Sequence, residues 1–111
     1  MKKADVIFLK GGSTVFLMSV LNNYPELAEK FLGKTIVGSS AGAYVLSELW
    51  TDHGDDVHMR KGLGILLLRI VCHYQSELLP PSHLSLQEIK DSGHDLELVL
   101  LRDCEHQVFL F

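Results

Sequence analysis

Cysteine is scarce: Cys72 and Cys104 are the two thiols among 111 residues. Two thiols make no disulfide framework, and neither a CxxC nor a Cys/His zinc spacing occurs. Positive charge is also short. Ten Lys and Arg stand against fourteen Asp and Glu, a net charge of −4 with the histidines neutral. A nucleic-acid binder needs a basic face to neutralise phosphates, so no nucleic-acid partner is expected. Long apolar runs are missing as well. The longest, Gly62 to Cys72, is too short to span a bilayer and carries Arg69. The opening Met1-Lys2-Lys3 has the charge of a signal peptide, but Asp5 and Lys10 break the apolar stretch that would follow. These absences predict a cytoplasmic protein with no membrane partner, no metal and no cofactor.

What is present is apolar. Hydrophobic residues make up 47%, and counting the nine glycines brings the share to about 55%, above the roughly 45–50% of average soluble domains. That excludes disorder and leaves apolar surface for a partner chain to cover. No repeat, low-complexity tract or linker divides the chain, so residues 1–111 read as a single domain.

The run Asp5 to Lys10, ended by Gly11-Gly12, predicts a buried strand. Ser13 or Thr14 caps a helix carrying Phe16, Leu17, Val20 and Leu21 at helical spacing. Pro25 opens a second short helix that Gly33 closes. Thr35 to Gly38 predicts a second strand, followed by an apolar helical stretch from Tyr44 to Trp50. Thr51 to Lys61 is polar and reads as a loop, and Leu66 to Tyr74 as a third buried strand ending at His73. A helix over Ser82 to Ser92 and a strand over Leu96 to Arg102 follow. Asp103-Cys104-Glu105 turns the chain into a last strand, His106 to Phe111. Alternating strands and helices predict an α/β fold: three layers, a mostly parallel sheet with helices on both faces, and a C-terminal antiparallel hairpin.

Gly38-Ser39-Ser40-Ala41-Gly42 is a G-x-S-x-G pattern leaving a strand and entering a helix. A nucleophile elbow needs this arrangement because the serine sits in a strained turn that flanking glycines permit. The competing reading is a glycine-rich turn without chemistry. A serine nucleophile requires a base. Among six histidines, His73 follows a buried strand at the sheet's carboxyl edge, where functional groups of open α/β sheets gather. Its plainer reading is a half-buried histidine satisfied by a carbonyl. His53 and His58 are rivals in the acidic loop, while His83, His94 and His106 read as surface or turn residues. The glycines of Gly11-Gly12-Ser13-Thr14 bring a backbone N–H near the serine as an oxyanion donor. This turn has neither the G-x-G-x-x-G nor the P-loop pattern of a phosphate cradle.

These segments, in this order, resemble the dipeptidase E and cyanophycinase-type serine peptidases. The likeness lies in Ile7-Phe-Leu-Lys-Gly-Gly-Ser-Thr14, in Gly38 to Ala43 with its Ser-Ala-Gly-Ala, in Gly62-Leu-Gly64, and in His73-Tyr74. It covers Ala4 to Glu77 closely and the C-terminal part loosely. The resemblance implies a fold related to class I glutamine amidotransferases and a Ser-His-acid triad hydrolysing short peptides, acidic dipeptides among them. Matched position by position, Ser40 is the nucleophile and His73 the base. Gly12 and the Ala41 backbone N–H fall at the oxyanion hole. The dipeptidase E branch carries its acid fifteen residues after the serine, at Asp55, with Asp52 and Asp56 adjacent, while other branches leave Glu48 open.

Two departures accompany the likeness. Ser13 stands where asparagine is commoner, and family members carry further strands before the segment matching Asp5. A shortened sheet is expected to associate as a homodimer or with a partner chain. A catalytically inactive remnant serving as an interaction subunit, and an esterase or amidohydrolase on the same elbow, are the alternative functions.

Overall fold

A computed structural model describes residues 6–54 and 57–109. The first strand, β1 (Val6–Leu9), runs through the Gly11-Gly12 turn into helix α1 (Thr14–Leu21). The Ser13 hydroxyl caps that helix by accepting the Phe16 N–H at 3.2 Å, as a short polar side chain at the N-cap does. A one-turn helix, α2 (Leu27–Lys30), precedes β2 (Thr35–Gly38). β2 pairs parallel with β1, Val6 opposite Thr35 and Leu9 opposite Gly38. The carboxyl ends of both strands, and the turns that follow them, are thereby brought side by side.

Helix α3 (Ala41–Leu46) comes next, and all six of its residues are buried. A helix apolar on every side belongs between layers, not on a surface. Ala43 and Tyr44 join Trp50, Leu68, Ile70, Cys72 and Val99 in one core cluster, while Leu46 joins Leu27 and Phe31 in a second. α3 therefore ties the two-stranded unit to the rest of the chain.

The helix ends earlier than the apolar run through Trp50 predicts. Ser47 donates its hydroxyl to the Tyr44 carbonyl at 2.7 Å, and the chain turns directly into β3 (Ser47–Thr51). β4 (Met59–Lys61), β5 (Leu66–Val71), helix α4 (His83–Asp91) and β6 (Glu97–Leu100) complete the described elements. The second sheet has the order β4-β3-β5-β6, with β3–β5 and β5–β6 parallel. The α/β class and its mainly parallel pairing agree with the alternation of strands and helices in the sequence.

Two details differ from the expectation. The antiparallel pair is β3 with β4, which draws Thr51 and Met59–Lys61 out of the predicted loop. No C-terminal hairpin forms among the described residues. The turn at Asp103–Glu105 is present, with Cys104 at φ 66° and Glu105 accepting the Arg102 N–H at 2.7 Å. Residues 106–109 then leave the sheet, and Phe109 packs against the first core cluster instead of entering a ladder.

Arg69, the one charge in the greasiest run of the sequence, points inward from β5 and is 7% exposed. Its partners are backbone carbonyls: Ile89 at 2.7 Å, Ser92 at 3.0 Å and Leu96 at 2.7 Å. The guanidinium thus caps the carboxyl end of α4, where free carbonyls and the negative end of the helix dipole favour a cation. A planar fork reaches all three at once, which an ammonium does not. The β1–β2 unit is less covered, with Val6 and Phe8 at 57% and 56% exposure.

Arg69→Met keeps the apolar stem but orphans those carbonyls, so it is expected to lower stability by about 2 kcal/mol. Arg69→Lys is expected to recover only part of that loss. Urea unfolding followed by circular dichroism measures both; an Arg69→Met midpoint equal to wild type removes the clamp from the account.

Candidate functional site

The strand-to-helix junction after β2 forces Ser40 into φ 54°, ψ −110°, a conformation that L-residues avoid. Sterics at the neighbouring glycines explain why the chain accepts it. A Cβ on Gly42 would stand 2.0 Å from the Leu9 carbonyl oxygen, and one on Gly38 would stand 2.7 Å from the Gly42 oxygen. α3 can therefore press against β1 only with glycine at position 42, and against β2 only with glycine at position 38, and Ser40 is levered outward at the helix start. Gly11 packs on the other side, its Cβ position 3.4 Å from the Ser40 Cβ.

His73 follows β5 at the same carboxyl edge, and its Nε2 lies 3.1 Å from the Ser40 Oγ. Beyond it, the His73 Nδ1 lies 2.9 Å from the Asp103 Oδ1. The parallel register accounts for this pairing. Val71 stands opposite Leu100, so the residues just after the two strands leave the sheet together. The Leu101 N–H donates to the Val71 carbonyl at 2.9 Å and the Tyr74 N–H to the Leu101 carbonyl at 3.0 Å, which extends the pairing to the site.

The proton positions follow from charge. Hydrogen bonds from the Ser76 hydroxyl and from His73 hold the exposed Asp103 carboxyl below its ordinary range, so it is an acceptor. His73 Nδ1 then carries the hydrogen and donates to Asp103, leaving Nε2 to accept the Ser40 hydroxyl proton. Positive φ among the described non-glycine residues occurs at Ser40, His73, Gln75 and Cys104. Each is one of these three side chains or lies within two residues of one. Strain of order 1–3 kcal/mol per residue, concentrated in this way, is characteristic of functional sites.

Ser40 and His73 border a cleft of about 290 Å³ whose lining includes Gly12, Tyr44, Trp50, Asp52 and His53. Gly12 has φ 135°, accessible to glycine, and faces this cleft. Ala41 is buried directly after Ser40; as the first residue of α3 its N–H has no partner within the helix.

Behind Ser40, the Tyr44 hydroxyl accepts the Cys72 N–H at 2.9 Å. Burial pushes the phenol well above its ordinary range. It therefore keeps its single proton, which goes to His53 Nε2, since the Cys72 carbonyl is farther away at 3.5 Å. Burial, and next the neighbouring His73, lower the proton affinity of His53, against a smaller opposite effect of Asp52. His53 stands edge-on to His73 with centroids 6.0 Å apart.

The residues singled out from sequence divide accordingly. Ser40 and His73 meet, and Gly12 lines the same cleft. Asp52 is held by Arg60, whose Nε lies 3.0 Å and 3.1 Å from its two oxygens, so it does not orient His73. Glu48 approaches Gly64, with Oε2 2.4 Å from where a Cβ on Gly64 would stand. Asp55 and Asp56 lie outside the described residues. Asp103, at the His73 ring, reads from sequence only as a turn residue. Its signal was its place just beyond a strand parallel to the one that delivers His73. His53 lines the cleft but pairs with Tyr44; His58, His83, His94 and His106 do not line it.

Cys72 is beside His73 in sequence, yet burial raises its thiol to about 11 and its Sγ lies 3.9 Å from the Ser40 carbonyl. A thiol at that value is protonated at neutral pH and unreactive. A thiol-reactive dye at pH 8 is therefore expected to modify exposed Cys104 in the folded protein, and Cys72 only after denaturation. Rapid labelling of Cys72 in the native state, mapped by peptide mass, contradicts this packing.

Comparison with known proteins adds one relationship. The family model for peptidase family S51 matches residues 1–107. No curated protein and no solved structure matches the chain. The match runs from the first strand through Asp103 and beyond, nearly the whole of the 111 residues, so it is a property of the chain and not of one short motif. On that relationship, the chain belongs to peptidase family S51, the serine peptidases of the dipeptidase E and cyanophycinase type.

Proposed function

We propose that this member of a serine peptidase family hydrolyses short peptides through an acyl-enzyme, with Ser40 as nucleophile, His73 as general base and acid, and Asp103 orienting the imidazole. The observation that carries the reading is the continuous hydrogen-bonded series from Ser40 Oγ through His73 to Asp103 at the mouth of a cleft. The Ser40 oxygen attacks the peptide carbonyl carbon while its proton passes to His73 Nε2. The C–N bond then breaks, His73 returns the proton to the departing amine, and the acyl group stays on Ser40. Water repeats the sequence: it gives a proton to His73, attacks the ester carbon and releases the acid as Ser40 recovers its proton. The backbone N–H groups of Ala41 and Gly12 would receive the oxyanion, a position supported by their flanking Ser40 in sequence and across the cleft.

Asp103 takes the place in this reading that the family resemblance assigns to Asp55. The support is direct contact with His73 Nδ1 and an ionised carboxylate. A fluorophosphonate probe is expected to label Ser40 in the full chain and to fail with Ser40→Ala. Asp103→Asn is expected to slow labelling and peptide hydrolysis by at least about a hundredfold, since the wrong histidine tautomer is then favoured. Asp55→Asn is expected to change both by less than about threefold, within the range of substitutions outside the reacting groups. The reverse order of effects assigns the acid to Asp55. No labelling of the wild-type chain favours an interaction subunit without activity.

A further inference from the structure

We propose that Tyr44 is a positioning residue for His73: its hydroxyl ties the backbone just before His73 to the helix that follows Ser40, and gives its proton to His53. This deepens the peptidase reading and rests on it for the work that His73 does. Tyr44 stands one helical turn after Ser40, and its N–H donates to the Ser40 carbonyl at 3.0 Å. Its ring stacks on Trp50 with centroids 5.6 Å apart, which fixes where the hydroxyl points. There the oxygen accepts the N–H of buried Cys72 at 2.9 Å. Cys72 lies between the end of β5 and His73, which takes φ 58°. An L-residue holds that conformation only where its surroundings impose it. One side chain on α3 thus helps set the distance between Ser40 and the turn that presents His73.

The same hydroxyl has a second partner. Its proton goes to His53 Nε2, so the hydrogen of His53 sits on Nδ1. His53 stands edge-on to Tyr44 and to His73, with ring centroids 5.5 Å and 6.0 Å away. The start of α4 holds His53 from outside. There the Ser82 N–H donates to the His53 carbonyl at 2.7 Å and the Ser82 hydroxyl to the Gly54 carbonyl at 2.6 Å. Burial keeps the His53 ring uncharged, so it sets no second positive charge beside the imidazolium that forms on His73. Without an acceptor at His53, the Tyr44 proton would turn to the Cys72 carbonyl, 3.5 Å away, and the lone pair would leave the Cys72 N–H.

The test reads His73 in two ways in the full chain. One is the rate of fluorophosphonate labelling of Ser40 at pH 8.5; the other is the proton resonance of His73 Nδ1, moved downfield by its bond to Asp103. Tyr44→Phe keeps the ring on Trp50 and removes the hydroxyl alone. It is expected to slow labelling by about tenfold or more and to shift or broaden the downfield proton. His53→Ala is expected to slow labelling by about threefold to fivefold. His53→Gln, whose amide oxygen accepts the Tyr44 proton, is expected to recover most of that loss. Both His53 variants leave Tyr44 in place, so they test the same tie if Tyr44→Phe does not fold. Labelling of Tyr44→Phe within about twofold of wild type overturns the inference. Slowed labelling with the downfield proton unchanged also overturns it, since Tyr44 is then a packing residue, as does His53→Gln as slow as His53→Ala. A wild-type chain that does not label removes the peptidase reading, and the downfield proton then decides the role of Tyr44 by itself.

Discussion

The contact between α3 and β1 is the constraint on which the site depends. Gly42 lies so close to the Leu9 backbone that no side chain fits between them. This approach fixes where the buried helix starts, and its start leaves Ser40 at φ 54°. The cost of that conformation is offset by the burial of the helix from Ala41 to Leu46, with Ala43 and Tyr44 in one core cluster and Leu46 in the other. Chemistry and packing are inseparable here: loosening α3 would relax the serine.

The same economy places the other two groups. His73 and Asp103 lie just beyond β5 and β6, adjacent parallel strands. Parallel pairing aligns the carboxyl ends of neighbours, so residues more than two dozen positions apart arrive at one edge. His73 at φ 58° and Cys104 at φ 66° turn the chain sharply there. Arg69 secures the arrangement from below, since its capping of α4 fixes the crossover that delivers β6 alongside β5.

Much of this was legible in the sequence because it depends on local chemistry. The G-x-S-x-G pattern, the Ser13 cap and the histidine after an apolar run are short-range signals, and the structure brings Ser40 and His73 together. Asp103 was less legible because its contact with His73 depends on a register between β5 and β6 that no local pattern encodes. Trp50 reads as the end of an apolar helix because helical and buried-strand runs of this length share one composition. A serine at position 47 that hydrogen-bonds back to Tyr44 is what divides them. Among the described residues no hairpin follows the turn at Asp103–Glu105, and Phe109 packs against the first core cluster.

The proposed hydrolysis requires Ser40, His73 and Asp103 to form one reacting unit. A crystal structure of the chain phosphonylated on Ser40 tests it most directly, because the adduct mimics the tetrahedral intermediate. The phosphonyl oxygen is expected to face the Gly12 and Ala41 N–H groups, with the Asp103 carboxylate on His73 Nδ1. An adduct in which Asp55 or another acid holds His73, or in which His73 turns away from Ser40, would contradict it.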